Sequence, residues 1–260
     1  MTAAPGARTV TRRRVAYGQQ PSQFGHLYLP GAVGSGPVPL VVLVHGGSWS
    51  TEFALTINTA VARDLAVRGA AVWNVEYRRR EEGGGWPQTG RDALAALRAL
   101  DGPVAAELAA AGVAVHRHDV AVVGHSAGGQ LATWAVARLG ARTTDHRITT
   151  VVPQSAVLDL TVPEVRDKES VAGLMGVPYA VAPDRYREAS PAQAPVTDAT
   201  VAIVHTLDDQ AVPPALSRHY AEVMRERGQA VTLTEVPGDH AAFVDPRSPA
   251  HRQTLRLLGL

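Results

Sequence analysis

The chain has 260 residues, 45% of them hydrophobic and 19% charged, and contains no cysteine. That length suits one α/β domain with a sizeable core, and the missing thiols exclude disulfides, cysteine-ligated zinc, iron–sulfur clusters and a thiol nucleophile. With 25 basic against 24 acidic residues the net charge is +1, so nothing points to a nucleic-acid partner or to disorder.

In chain order, residues 1–10 are small and Pro/Gly-containing and are expected to form a loose end. They lack the continuous apolar run of a secretory signal. The most compact apolar run, residues 40–44, is far too short to span a bilayer, so the expectation is a cytoplasmic protein without a membrane partner. Short β-like stretches at 14–17 and 24–29 precede a Gly/Pro-rich loop at 30–39. Strand-like runs rich in Val, Ala and Ile then recur at 40–44, 71–77, 120–123, 150–154, 201–205 and 230–236. Helical patterns at 56–67, 89–100, 128–139 and 214–227 separate most of them, each followed closely by glycine. The alternation predicts a mostly parallel, doubly wound sheet in a single domain spanning 1–260. Residues 157–189, with Pro163, Pro178 and Pro183, break the rhythm and read as a small cap insertion.

Gly124-His125-Ser126-Ala127-Gly128 fits G-x-S-x-G between a strand and a helix. A serine on such a sharp turn is exposed at the sheet edge, and crowding around the turn requires glycine on both sides. Ser126 also stands at a helix N-terminus, where developing negative charge is favoured. His45-Gly46-Gly47-Ser48-Trp49 follows the strand at 40–44. Alone it is an ordinary glycine turn; paired with Ser126 it supplies backbone N–H donors for an oxyanion, from Gly47 and Ser48 together with Ala127. His45 reads as a hydrogen bonder that holds the turn.

A serine on this kind of turn is served by an acid and then a histidine further along the chain. The strand at 201–205 opens into Asp208 and Asp209, and the strand at 230–236 into Asp239-His240. His240 is the expected base, with the acid either Asp208 or Asp209 by spacing. His219 lies within a helical pattern and reads as a surface or packing residue.

HGGSW (45–49), VEYRR (75–79), GGGWPQT (83–89), VVGHSAGGQLA (122–132), DDQAVP (208–213) and GDHAAFVDP (238–246) together resemble the α/β-hydrolases. More narrowly, they resemble the branch of kynurenine formamidase-like (arylformamidase) enzymes and acetyl-esterase/lipase-type proteins. The resemblance covers the chain from about residue 40 and implies an α/β-hydrolase fold with Asp209 as the acid, through the pattern H-G-x-x-D-x-x-V-P. Three positions depart from the family: Thr206 replaces the glycine of that pattern, Ala241 and Ala242 replace an aromatic residue, and Ser48 stands where formamidases carry an aromatic.

Other patterns carry less. His116-Arg117-His118-Asp119 could place ligands on one face, but no third ligand is recognisable, and the stretch reads as a loop entering the next strand. Gly83-Gly84-Gly85 lacks the residues of a phosphate loop. The charge run 78–82 reads as solvated and mutually paired. Trp49 and Trp86 are expected as walls of a substrate pocket. The sequence thus predicts a serine hydrolase, without metal or cofactor, acting on a small ester or activated amide. An acyltransferase or cyclase using the same triad, or a non-catalytic binding protein, are the alternatives, and nothing indicates an oligomeric state.

Overall fold

A strand that is apolar on both faces must be covered on both, and the central strands meet that requirement. The computed structural model describes residues 9–31 and 36–260. Most of the loose end expected at 1–10, and part of the loop at 30–39, lie outside the described residues. Eight strands form one sheet: β1 (Thr11–Ala16), β2 (Phe24–Leu29), β3 (Val38–Val44), β4 (Ala71–Val75), β5 (Val115–His125), β6 (Ile148–Gln154), β7 (Thr200–Thr206) and β8 (Val231–Val236). Their order is β1-β2-β4-β3-β5-β6-β7-β8. The β1–β2 and β2–β4 pairs are antiparallel, and every other pair is parallel.

The helices are α1 (Thr59–Val67), α2 (Gln88–Arg98), α3 (Pro103–Ala110), α4 (Ala127–Leu139), α5 (Pro163–Arg166), α6 (Glu169–Met175), α7 (Pro183–Ala189), α8 (Pro214–Glu226) and α9 (Pro249–Leu258). Along β3 the faces alternate with period two. Leu40, Val42 and Val44 pack with α2, α3 and α4, whereas Val41 and Leu43 pack with α1 and α9. On the far strands Val201 and Ile203 meet Tyr220 and Met224 of α8. The expected doubly wound, mostly parallel sheet is therefore present, and residues 157–189, between β6 and β7, carry α5, α6 and α7. Among the described residues no helix is long and apolar enough to cross a membrane.

Several elements differ from expectation. Residues 116–119 form the exposed lead of β5 rather than a loop. Their side chains are polar, so no apolar pattern marked the strand, but neighbouring chain recruits the backbone: Arg147 N donates to Arg117 O at 2.8 Å. The helical pattern at 56–67 begins with a tight 3₁₀ turn at Leu55–Asn58. Beyond Gly102 the alanine-rich stretch forms α3, with Pro103 at its first turn, where a missing N–H costs nothing. The chain beyond Pro246 carries no expected element, yet forms α9. Ser248 caps it by accepting from His251 N at 2.9 Å. The charge run at 78–82 is paired but mostly half-buried: Arg78 binds Asp92 at 2.7 Å and Arg79 binds Glu82 at 2.8 Å.

Candidate active site

Ser126 joins β5 to α4 with φ 52° and ψ −122°, a left-handed strain that a non-glycine residue tolerates only when its surroundings impose it. Its N–H donates to Gln154 O at 2.8 Å, which ties the turn to β6. A Cβ on Gly124 would lie 2.3 Å from Gly128 O, the crowding across the turn that the motif implies. A Cβ on Gly128 would strike the carbonyls of Val44 and His45 at 2.2 and 2.3 Å. The second glycine is therefore required by the end of β3. The turn holding Ser126 and the turn after β3 interlock.

That second turn runs through three successive left-handed residues, Gly47 (φ 107°), Ser48 (φ 53°) and Trp49 (φ 56°). Gly47 has no alternative, because a Cβ there would lie 2.3 Å from Phe53 Cβ. Trp49 Nε1 donates to Gln130 Oε1 of α4 at 3.1 Å, and Gln130 Nε2 donates to Ala189 O at 2.8 Å. One buried glutamine thus fixes the glycine turn against both α4 and the end of α7. His45 is fully buried, 2.8 Å from Glu76 Oε1 and stacked on Tyr77 at 4.3 Å.

Asp209 and His240 come from the loops after β7 and β8 and are joined by a 2.7 Å bond from Nδ1 to Oδ2. Asp209 Oδ1 accepts from the N–H groups of Ala211 and Val212 at 2.9 and 2.8 Å. Burial opposes the Asp209 charge. Hydrogen bonds from His240, Val212 N–H and the Ser155 hydroxyl outweigh it, holding the carboxyl well below the usual carboxylate range. Asp208 is exposed, and its backbone N–H donates to Gly238 O at 3.0 Å. His219 is exposed on α8.

His125, between Gly124 and Ser126, is a residue whose role the sequence did not disclose. Its Nε2 lies 2.9 Å from the carbonyl of His240, and the two rings are 4.6 Å apart. Burial, reinforced by the neighbouring His240, lowers its pKa to about 3. A neutral ring therefore donates to the His240 backbone carbonyl. Phe243 flanks it at 5.3 Å, three residues beyond the histidine where the family's aromatic is missing.

Ser126, His240, Gly47, Ser48, Ala127 and Trp49 all line one cavity of about 380 Å³. Phe53, Val157, Val171 and Leu216 form much of its remaining wall, part of it from the segment between β6 and β7. Trp86 does not reach it. Its ring turns into the core and meets Trp134 edge-on at 4.6 Å, over Gly90, where a Cβ would lie 2.6 Å away. The expectation that Trp86 forms a pocket wall is thus corrected to a core residue. Among the described residues no group of three or more His, Asp or Glu side chains is placed to hold a metal ion, and His116 and His118 lie exposed on the lead of β5.

A strained serine between strand and helix, an Asp–His pair from the loops after β7 and β8 and a glycine turn after β3, on this strand order, define an α/β-hydrolase fold. A family model described as BD-FAE matches residues 26–224, and the chain belongs to that family. It is 27% identical to Esterase LipC of Mycobacterium tuberculosis (strain ATCC 25618 / H37Rv), over 91% of this chain and 60% of that protein's length. It thus spans about three fifths of that relative. Solved structures share the fold. A truncated carbohydrate esterase from gut microbiota superposes with a TM-score of 0.80, at 20% identity over 98% of this chain and 97% of that one. Esterase B from Lactobacillus rhamnosis, solved with a tributyrin phosphonate inhibitor, gives 0.76, at 19% identity over 99% and 87%.

Proposed function

We propose that this protein is a serine esterase that cleaves small carboxylic esters through an acyl-enzyme on Ser126. The observation that carries the reading is the Asp209–His240 pair opening onto the same cavity as the strained Ser126. Asp209, held ionised, accepts from Nδ1 and so fixes that proton there, leaving Nε2 bare to take the proton of Ser126. Ser126 Oγ attacks the ester carbonyl, and the N–H groups of Gly47, Ser48 and Ala127 receive the oxyanion. Collapse expels the alcohol, with His240 returning the proton to the leaving oxygen. Water activated by His240 then attacks the acyl carbon and releases the acid. The reading draws further support from the family and from the esterases named above.

Labelling by a fluorophosphonate probe, together with burst-phase turnover of p-nitrophenyl acetate, tests this directly. Label should map to Ser126, and Ser126→Ala should abolish both label and burst while keeping the native circular dichroism spectrum. An unlabelled protein without turnover returns the function to a binding role. Ester or amide products formed with competing alcohols or amines would make it an acyltransferase, and preferential turnover of aryl formamides would make it a formamidase.

A further inference from the structure

Among the described residues lining the cavity at Ser126, one side chain carries a permanent charge, and it is a cation. Lys168, the chain's single lysine, stands between α5 and α6, and no Asp, Glu or Arg shares the wall with it. Its Nζ donates to Ala211 O at 2.7 Å, on the loop that carries Asp209. An ammonium has three protons to donate, and this contact uses one. Neighbouring charges leave the ammonium without an ion pair among the described residues. Asp167 is 3.5 Å from Arg166, and Glu169 is exposed at the start of α6.

The rest of the wall is mainly apolar, from Trp49, Phe53, Val165, Val171 and Leu216. A hydrocarbon chain is desolvated favourably there, whereas an anionic end remote from Ser126 would be penalised along that apolar wall and received beside Lys168. We propose that the cavity takes esters bearing a carboxylate remote from the scissile bond, with Lys168 receiving that carboxylate. The inference rests on the serine-esterase reading and adds a substrate class to it: half-esters of dicarboxylic acids, or esters of hydroxy acids.

The test compares kcat/KM for matched charged and neutral substrates in the wild type, Lys168→Met and Lys168→Arg. Mono-p-nitrophenyl adipate, pimelate and suberate are set against their ω-methyl esters. Acetates of ω-hydroxy acids, set against the corresponding methyl esters, probe the alcohol side. The wild type should prefer the charged member of at least one pair. That ratio should fall about fivefold in Lys168→Met, the scale of a partly solvated ion pair, and survive in Lys168→Arg. It should also shrink in about 0.5 M salt. A ratio that favours the neutral member throughout, or that is unchanged in Lys168→Met, overturns the proposal. In the second case Lys168 is only a latch between the α5–α6 segment and the acid loop, and both members slow equally. Failure of the wild type to hydrolyse any of these esters instead sinks the esterase reading on which the proposal rests.

Discussion

Ser155 Oγ lies 3.1 Å from Thr206 Oγ1, with both residues fully buried at the ends of neighbouring strands. Ser155 Oγ also accepts from Thr206 N–H at 3.3 Å, and its hydroxyl helps to hold the Asp209 carboxyl below the usual carboxylate range. The Ser155 backbone is held at φ 40°, in the left-handed region. Thr206 stands where the pattern H-G-x-x-D-x-x-V-P has glycine, and its hydroxyl meets that of Ser155 behind the Asp209–His240 pair.

Ser155→Ala and Ser155→Gly separate the hydroxyl from the strain. Glycine relieves the backbone and alanine does not, but both lose the bond to Asp209. Each should lower kcat/KM about tenfold, the equivalent of ~1.4 kcal/mol, while the glycine variant melts at the higher temperature of the two. Full activity in Ser155→Gly would mean that the hydroxyl contributes nothing to positioning.

Asp208 and Asp209 are adjacent but face opposite surroundings, which makes their asparagine variants a sharp pair. Asp209→Asn replaces a charged acceptor and favours the wrong tautomer of His240, with an expected loss of about 10⁴ in kcat. Asp208→Asn alters an exposed side chain and should stay within about twofold. Comparable losses in both would remove Asp209 from its role.

Much of this arrangement was legible because its signals are local. The glycines around Ser126 answer steric needs within a few residues, and the strand–helix alternation placed each loop at the same sheet edge. The choice between Asp208 and Asp209 was not local in that sense. It is made by His240, 31 residues further on, whose Nδ1 lies 2.7 Å from Asp209 Oδ2. His125 and Ser155 act through contacts 115 and 51 residues away in sequence, which no spacing reveals. Trp86 misled for the same reason: its loop suggested the cavity, whereas its ring packs on Trp134 of α4.

The two tryptophans should therefore separate in kinetics and stability. Trp86→Phe disturbs a buried edge-on pair and should lower the melting temperature by several degrees, on the scale of ~1–3 kcal/mol, with KM within about twofold of the wild type. Trp49→Phe removes the bond to Gln130 beside the proposed oxyanion donors and should lower kcat/KM about tenfold. A KM change in Trp86→Phe larger than that in Trp49→Phe would return Trp86 to the pocket.

Acid should unfold this protein earlier than its near-neutral charge suggests, and His125 is a main cause. Unfolded, its ring takes up a proton near its ordinary pKa of 6.5; folded, burial and the adjacent His240 postpone that to about 3. Across that window the unfolded state holds the extra proton, so stability falls as pH drops, by up to ~1.4 kcal/mol per unit. His205, buried and also lowered, acts in the same direction, and Asp209 adds its loss below the usual carboxylate range. Urea midpoints measured between pH 7.5 and pH 4.5 should fall steadily. In His125→Gln, which cannot titrate, the slope should be shallower by about one proton even if the midpoint at neutral pH is lower. Equal slopes in the two proteins would show that His125 takes up its proton in the folded state as readily as in the unfolded one, which the enclosed position between His240 and Phe243 does not allow.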